Sequence, residues 1–291
     1  MSKDELTEQA SMERPPLFVH QGGTGNTPCV LIHGYADGAY VWVDLLRNLP
    51  ADYRAFAVDL RGHGYSPRSA DGQYLTHQHV GDVIETLDLL GFDRLVVIGH
   101  SMGGDVAIRV ALAQPHRVAA LVIVDFGLES SPAGKLVMKN LWHSLRVYAT
   151  TDEYLQSLTR TRPLVCLELL KYCAAEALEG SVETGFKLRL DPRFFSSVND
   201  PRQNVRVQWE TLARIACPTL LLRGASSSVL SRAVASRMAA SIPNCTLREI
   251  KGAGHTPMLE NPCEFRQEVS QFLSEVRDRM RPGLDQSTLA S

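Results

Sequence analysis

The residues best suited to chemistry lie in Gly99-His100-Ser101-Met102-Gly103-Gly104, which matches the pattern G-x-S-x-G. An apolar run ending at Ile98 precedes it and a helical pattern follows it, so Ser101 is predicted to lie on a tight strand-to-helix turn. Small neighbours remove the clashes of such a turn, and the helix N-terminus offers backbone amides to developing negative charge. We interpret Ser101 as a nucleophile, and the alternative is a purely structural turn.

Two further segments can assist a nucleophilic serine. In His33-Gly34-Tyr35, after an apolar run, the glycine lets the Tyr35 N–H point at a reacting carbonyl oxygen, and the Met102 N–H would complete an oxyanion hole. His255 follows the last strand candidate in a glycine-rich loop and is the predicted general base. The alternative is an exposed loop histidine.

The elements that must position these residues alternate between short β-branched runs and amphipathic helical patterns. Continuous apolar strands separated by helices predict a parallel sheet covered on both faces. The strand candidates are Leu17–His20, Cys29–His33, Arg54–Asp59, Arg94–Gly99, Val118–Val124, Pro218–Arg223 and Thr246–Ile250.

The alternation stops between about Gly127 and Val205, where helical patterns dominate. This gap predicts an all-helical insertion into an α/β core. Aromatic residues within it, Trp142, Phe194 and Phe195, are predicted to line an apolar lid over the active site and to bind substrate. The alternative is that each one only packs the insertion onto the core.

Together with Asp59-Leu-Arg-Gly-His-Gly-Tyr-Ser66, these motifs resemble the α/β-hydrolase superfamily, in its lid-bearing branch of serine esterases and C–C bond hydrolases. The resemblance implies an α/β-hydrolase fold with a mostly parallel eight-stranded sheet, helices on both faces, a helical cap after the sixth strand, and no cofactor. The predicted core spans 15–126 and 206–281, the cap 127–205, and flexible tails 1–14 and 282–291. A serine nucleophile argues against the epoxide hydrolases and haloalkane dehalogenases, which use a carboxylate.

The sequence departs from the family at the third member of the catalytic triad. The resemblance implies an aspartate shortly after the seventh strand, but Ser228 stands there, and no Asp or Glu lies between Glu210 and Glu249. A hydroxyl cannot offset the imidazolium charge that forms when the base takes a proton. The best substitute is Asp125, at the end of the sixth strand implied by the family; Glu129 is a weaker candidate.

Composition excludes several other classes. Thirty basic and thirty-two acidic residues among 291 give a net charge of −2, which provides no general attraction to nucleic acid or anionic lipid. No apolar run is long enough to span a membrane, and the charged N-terminus does not read as a signal peptide, so we expect a cytoplasmic protein. Six scattered cysteines without a CxxC pair favour buried free thiols, and His77 and His79 lack a third metal ligand.

The predicted function is therefore a cofactor-independent, metal-free serine hydrolase that cleaves an ester-type bond of a small, largely apolar molecule through an acyl-enzyme. The missing acid leaves two alternatives open: a lyase, cyclase or acyl transferase that uses the same pocket, or a ligand-binding protein with little turnover. Among the basic residues of the cap, Arg160 and Arg162 are expected to be solvated, while Arg189 or Arg193 are candidates to bind a substrate carboxylate.

Overall fold

The computed structural model describes residues 16–129, 146–198 and 207–277. The predicted tails at 1–14 and 282–291, and Trp142, lie outside the described residues. The limits set for the core and the cap stay predictions.

The described residues form nine strands, and seven of them make the main sheet. In chain order they are β1 Val19–Gly23, β2 Thr27–Ile32, β3 Tyr53–Val58, β4 Leu95–His100, β5 Val118–Val124, β6 Leu178–Ser181, β7 Gly185–Leu188, β8 Thr219–Gly224 and β9 Cys245–Ile250. The main sheet has the order β1-β3-β2-β4-β5-β8-β9, with only β1 antiparallel to its neighbour.

This sheet confirms the predicted mostly parallel α/β architecture. All seven strand candidates in the sequence correspond to strands of the sheet, with β1 starting two residues later than expected. The eighth strand came only from the family resemblance, and the described residues do not form it. As a result, the insertion follows the fifth strand of this sheet and not the sixth.

Helices connect the strands and cover the sheet. They are α1 Val43–Arg47, α2 Thr76–Leu89, α3 Met102–Ala113, α4 Thr151–Thr161, α5 Leu167–Ala177, α6 Arg193–Val198, α7 Arg232–Ser241, α8 Pro257–Glu260 and α9 Pro262–Val276, with 3-10 turns at Ala39–Trp42 and Trp209–Arg214.

Both faces of the sheet are buried, as continuous apolar strands require. Successive side chains of a strand point to opposite faces, and in β2 Leu31 belongs to one hydrophobic cluster while Val30 and Ile32 belong to the other. Phe265 of α9 packs in the first cluster, and Val106 of α3 packs in the second. The core is therefore two apolar layers, one on each side of the sheet.

Residues 146–198, which we call the cap segment, lie outside the main sheet and contain α4, α5, β6, β7 and α6. The prediction of an all-helical insertion was wrong here, because β6 and β7 pair as an antiparallel hairpin. Gly180 and Gly185 have positive φ angles of 127° and 73°, and a Cβ on Gly180 would lie 2.1 Å from the Gly185 carbonyl oxygen. Only glycine fits where two backbones approach so closely. The sequence did not predict these strands because they are short and contain no apolar run.

The cap segment is joined to the core by backbone hydrogen bonds. Gly64 N–H donates to the Arg189 carbonyl at 2.8 Å, and Asp191 N–H donates to the Gly62 carbonyl at 2.8 Å. The carboxylate of Asp59 holds the same turn by accepting from Tyr65 N–H at 3.0 Å. The Asp59–Ser66 motif thus has a structural role, since it holds the turn to which the cap segment is bonded.

None of the described helices is both long and apolar enough to cross a bilayer. All six cysteines are free thiols, as predicted. The expectation of burial holds for Cys29 and Cys173, whereas Cys217 and Cys245 are only partly buried. It fails for Cys166 and Cys263, which are exposed at the N-terminal ends of α5 and α9 where the helices face solvent.

Candidate active site

Ser101 lies between β4 and α3 in a backbone conformation that few side chains adopt. Its φ and ψ angles are 51° and −119°. A Cβ on Gly99 would lie 2.1 Å from the Gly103 carbonyl oxygen, and one on Gly103 would lie 2.3 Å from the Ile32 carbonyl oxygen. Side chains at either position would clash, so the two glycines permit the turn and the strain is held by its surroundings.

The structure brings Ser101, His255 and Asp125 together in a line. His255 Nε2 lies 3.1 Å from Ser101 Oγ, and His255 Nδ1 lies 2.8 Å from Asp125 Oδ2. Asp125 directly follows β5, and its backbone N–H donates to the Leu222 carbonyl of β8 at 2.8 Å. The parallel order of the sheet thus places the acid at the same edge as the nucleophile, because β4 and β5 are neighbours that end together.

The buried carboxylate of Asp125 has three hydrogen-bond donors. Besides His255, Gly224 N–H donates to Oδ1 at 3.0 Å, and the Ser227 hydroxyl donates to Oδ2 at 2.6 Å. Ser227 Oγ itself accepts from the N–H groups of Val229 and Leu230, both at 3.1 Å, so its own proton is left to point at the carboxylate. Both carboxylate oxygens are therefore fixed in place.

Ser228, at the position where the family resemblance implies the acid, and Glu129, the weaker candidate, lie in other surroundings. Ser228 lines the cavity in front of Ser101. Glu129 is half exposed and pairs with Arg237 at 3.0 Å on the surface.

A buried arginine that the sequence did not reveal shapes the loop after β8. Arg223 donates to the carbonyls of Leu230 at 2.7 Å, Ala225 at 3.1 Å and Ser227 at 3.3 Å. These bonds fold residues 225–230 so that the Ser227 hydroxyl faces Asp125. An arginine in an otherwise apolar strand, Leu220-Leu-Leu-Arg223, is the signal that could have found it.

Neighbouring histidines act as fixed donors and acceptors. His100 Nε2 donates to the His255 carbonyl at 2.8 Å, which holds the loop of the base, and burial together with the nearby His255 lowers the pKa of His100 to about 3. His33 Nε2 accepts from Leu60 N–H at 2.9 Å, so its Nδ1 donates to the Gly34 carbonyl at 2.7 Å, and the two bonds fix the loop after β2. Burial also lowers the pKa of the four histidines that we call the buried histidines, His33, His63, His79 and His100.

The backbone predicted to form the oxyanion hole lies against the nucleophile. A Cβ on Gly34 would lie 3.2 Å from Ser101 Cβ, so glycine allows the Tyr35 loop to approach the serine. Met102 is the first residue of α3, where the backbone N–H has no partner within the helix. The use of these two N–H groups in catalysis stays a prediction.

Ser101 opens into a cavity of about 450 Å³ between the core and the cap segment. The core lines it with Tyr35, Asp37, Ser226, Ser228 and Glu260, and the cap segment lines it with Tyr154, Ser157, Leu158, Thr161, Arg162 and Leu188, among others.

Two aromatic residues predicted to contact substrate lie elsewhere. Phe194 and Phe195 are fully buried and are not among the residues that line this cavity. They pack on Tyr35 with ring centroids 4.9 and 5.4 Å away. Their apolar rings are shielded from solvent at the junction of the cap segment and the core, where they support Tyr35 in the cavity wall.

The arginines of the cap segment also differ from expectation. Arg162, expected to be solvated, is mostly buried beside Asp37, whereas Arg160 is exposed as expected. Arg193 pairs with Asp191 at 2.7 Å, and Arg189 lies over the Tyr65 ring at 4.4 Å, so neither candidate carboxylate ligand lines the cavity. In the described parts of the chain no group of His, Cys, Asp and Glu side chains is arranged to hold a metal ion.

A strained serine, a histidine and a buried carboxylate in series, at the edge where parallel strands end, define the class of hydrolases with a nucleophile elbow. The chain belongs to the α/β-hydrolase family, whose model, described as the alpha/beta hydrolase fold, matches residues 27–262.

Individual relatives include both esterases and hydrolases of other bonds. The chain is 26% identical to 2-hydroxymuconate semialdehyde hydrolase of Pseudomonas sp. (strain CF600), over 89% of this chain and 90% of that protein. It is also 26% identical to Esterase YbfF of Escherichia coli (strain K12), over 88% and 96%. Among solved structures, E-2-(acetamidomethylene)succinate hydrolase matches with a TM-score of 0.76 over 89% of this chain and 95% of that one, and its 18% identity shows the shared fold alone.

Proposed function

We propose that the protein is a cofactor-independent serine hydrolase that cleaves a carboxylic ester, thioester or lactone of a small molecule through an acyl-enzyme on Ser101. The observation that carries the proposal is the unbroken hydrogen-bonded series from Ser101 Oγ through His255 to the buried carboxylate of Asp125. Proton transfer from a serine hydroxyl needs a base in contact with it and a group that orients that base. Each of these groups is present within hydrogen-bond distance.

In the proposed reaction, Ser101 Oγ attacks the carbonyl carbon while its proton passes to His255 Nε2. The Asp125 carboxylate offsets the imidazolium charge, and the N–H groups of Tyr35 and Met102 stabilise the oxyanion. Collapse of the tetrahedral intermediate breaks the bond to the leaving oxygen or sulfur, which takes the proton from His255. Water then attacks the acyl-enzyme while His255 takes its proton. His255 returns this proton to Ser101 Oγ as the acid is released.

Two rival functions rested on an incomplete triad. A lyase, cyclase or acyl transferase, and a ligand-binding protein, were open because Ser228 replaces the expected aspartate. The hydrogen bond between His255 and the Asp125 carboxylate supports a complete triad and weakens that reason for the alternatives. Ester specificity is the finer part of the proposal, because relatives at the same 26% identity include an esterase and a semialdehyde hydrolase.

The test combines covalent labelling with turnover. A fluorophosphonate probe should label Ser101, and a panel of short-chain aryl esters should be hydrolysed. Ser101→Ala should lose both, whereas Ser226→Ala, which changes another serine of the cavity wall, should keep both. Turnover of 2-hydroxymuconate semialdehyde without any ester turnover would overturn ester specificity, and labelling without turnover of any substrate would overturn hydrolysis.

The proposed partner is a small molecule that fits the cavity beside Ser101, with no nucleic acid or membrane involved in recognition. A cytoplasmic location is proposed with it, and the six free thiols support a reducing compartment.

A further inference from the structure

A buried ion pair stands in the wall of the cavity that contains Ser101. Arg162 Nη2 of the cap segment donates to Asp37 Oδ1 of the core at 2.6 Å. The Tyr40 hydroxyl donates to the same oxygen at 3.3 Å. The side chains of Asp37 and Arg162 are 5% and 19% exposed, so solvent screens this pair far less than a surface pair.

The guanidinium keeps hydrogen-bonding capacity toward the cavity. Arginine has five N–H donors in a planar fork. Among the described residues, this guanidinium donates a hydrogen bond to Asp37. Because Arg162 is one of the residues that line the cavity, the remaining exposed part of its side chain offers donors to a bound molecule.

Both members of the pair are charged. Burial works to raise the pKa of Asp37, but the Arg162 guanidinium outweighs it and holds that pKa below its ordinary value. Burial works to lower the pKa of Arg162, but Asp37 outweighs it and raises that pKa. The pair as a whole is therefore neutral.

The rest of the described lining adds no positive charge that could balance an anionic substrate. Arg162 is the only Lys or Arg in it. Glu260 adds a carboxylate, which accepts from the N–H groups of Gly254 at 2.6 Å and Thr256 at 3.2 Å. A carboxylate on the substrate would lie beside Asp37 with its charge uncompensated, and burying such a charge is costly.

We infer that the natural substrate carries a neutral hydrogen-bond acceptor, such as an amide or ketone carbonyl, that binds Arg162, and that Asp37 selects against a carboxylate at that position. A neutral acceptor uses the spare donors of the guanidinium without adding charge to the site. Asp37 and Arg162 are then specificity-determining residues for the proposed ester hydrolysis, on which this inference rests.

The test uses three 4-nitrophenyl esters whose seven-carbon acyl chains end in an amide, a carboxylate or, in the heptanoate, a methyl group. A second series places the same end groups on the alcohol of alkyl butyrates. In at least one series, wild type should give a kcat/KM for the amide above that for the methyl ester and at least about tenfold above that for the carboxylate, a factor that one unpaired polar group commonly sets.

Three variants separate recognition from a structural role. Asp37→Asn leaves the positive charge of Arg162 without a compensating carboxylate, and the ratio of carboxylate to amide kcat/KM should rise at least about tenfold, one charge-assisted hydrogen bond being enough for this. Arg162→Met should remove the preference for the amide over the methyl ester. Arg160→Met, which removes an exposed arginine two residues earlier in the chain, should leave all ratios unchanged.

The outcomes are distinguishable from failure of the proposed function. If no ester in either series is hydrolysed and Ser101 is not labelled, the proposed function itself fails and the inference fails with it. If heptanoate is hydrolysed through Ser101 but wild type does not prefer amide to carboxylate in either series, the inference is overturned. Equal ratios in wild type, Asp37→Asn and Arg162→Met would also overturn it, and would assign the ion pair to holding the cap segment on the core.

Discussion

Replacing Asp125 by asparagine tests the unusual position of the acid most directly. In one amide orientation, the NH₂ group faces His255 Nδ1 and forces the ring into the tautomer that cannot take a proton from Ser101. That NH₂ group would also face the donating hydroxyl of Ser227, which cannot become an acceptor because its lone pairs already accept from two backbone N–H groups. In the other orientation, the NH₂ group faces Gly224 N–H, so two donors meet without an acceptor. In both orientations the negative charge that would stabilise the imidazolium is lost.

The size of the effect follows from the charge that is lost. Two unit charges about 4 Å apart interact by about 4 kcal/mol at an effective dielectric constant of about 20. Since about 1.4 kcal/mol corresponds to tenfold, the lost charge alone lowers kcat by about 10³. The wrong tautomer adds to this, and the same change in a protease triad costs about 10⁴. We therefore expect a loss between about 10³ and 10⁴.

The assay is steady-state hydrolysis of the best aryl ester from the panel, with thermal unfolding as a check of folding. Asp105→Asn is the matched control, because it makes the same chemical change in α3, where the carboxylate pairs with Arg109 at 2.9 Å and does not line the cavity. The control should stay close to wild type. A folded Asp125→Asn protein that keeps more than about a tenth of the wild-type kcat, far above the loss expected for a triad acid, would refute the assignment.

Four other perturbations have defined outcomes. Ser227→Ala should lower both kcat and the free energy of unfolding, the latter by about 2 kcal/mol, because the buried carboxylate of Asp125 loses a donor; an unchanged melting temperature and kcat would contradict this. Ser228→Asp should give no gain in ester hydrolysis, because His255 already has a carboxylate partner in Asp125. An increased kcat would count against Asp125 as the triad acid. Gly99→Ala should destabilise the protein by about 3 kcal/mol or more, since the new Cβ would lie 2.1 Å from a backbone oxygen. The control Gly81→Ala in α2, with no atom within 4 Å of the new Cβ, should stabilise the protein by about 1 kcal/mol. Chemical denaturation measures both changes, and equal effects would be inconsistent with the packing. The buried histidines have folded-state pKa values below the unfolded value of 6.5, so the unfolded chain binds more protons and stability should fall as the pH drops below 6.5. For His63 and His100, whose folded-state pKa values are about 3, the loss should continue toward that pH, by up to about 1.4 kcal/mol per pH unit for each of the two. A melting temperature that stays constant between pH 7.5 and 5 would disprove it.

The sequence predicted the parts of the site that depend on local geometry. Ser101 was identifiable because a strained turn needs glycine on both sides, and that requirement appears as a five-residue pattern. His255 and Asp125 were identifiable because each follows a predicted strand, and parallel strands end at one edge of a sheet. The placement of Asp125 against His255 depended further on β5 and β8 being neighbours, which no local pattern encodes.

Parts of the cavity wall were not predictable because they form between distant segments. The contact between Asp37 and Arg162 joins positions 125 residues apart, and neither residue stands in a pattern that indicates burial. Phe194 and Phe195 are apolar at a predicted interface, but composition cannot tell which side of the interface they face. The hairpin of β6 and β7 was missed because its four-residue strands are held by glycine turns and backbone hydrogen bonds, with little apolar content.

The position of Asp125 places the proposed triad acid at the junction between the core and the segment that leads to the cap. It is the first residue after β5, at the point where the chain leaves the core toward the cap segment, whereas Ser101 and His255 belong to the core alone. Chimeras that exchange the cap segment with a relative must therefore keep Asp125 and place the junction after it. Changes in how the cap segment is anchored are expected to shift the position of the Asp125 carboxylate relative to His255. The loop after β8, freed from supplying the acid, can vary in length and sequence as long as the Ser227 hydroxyl still reaches the carboxylate.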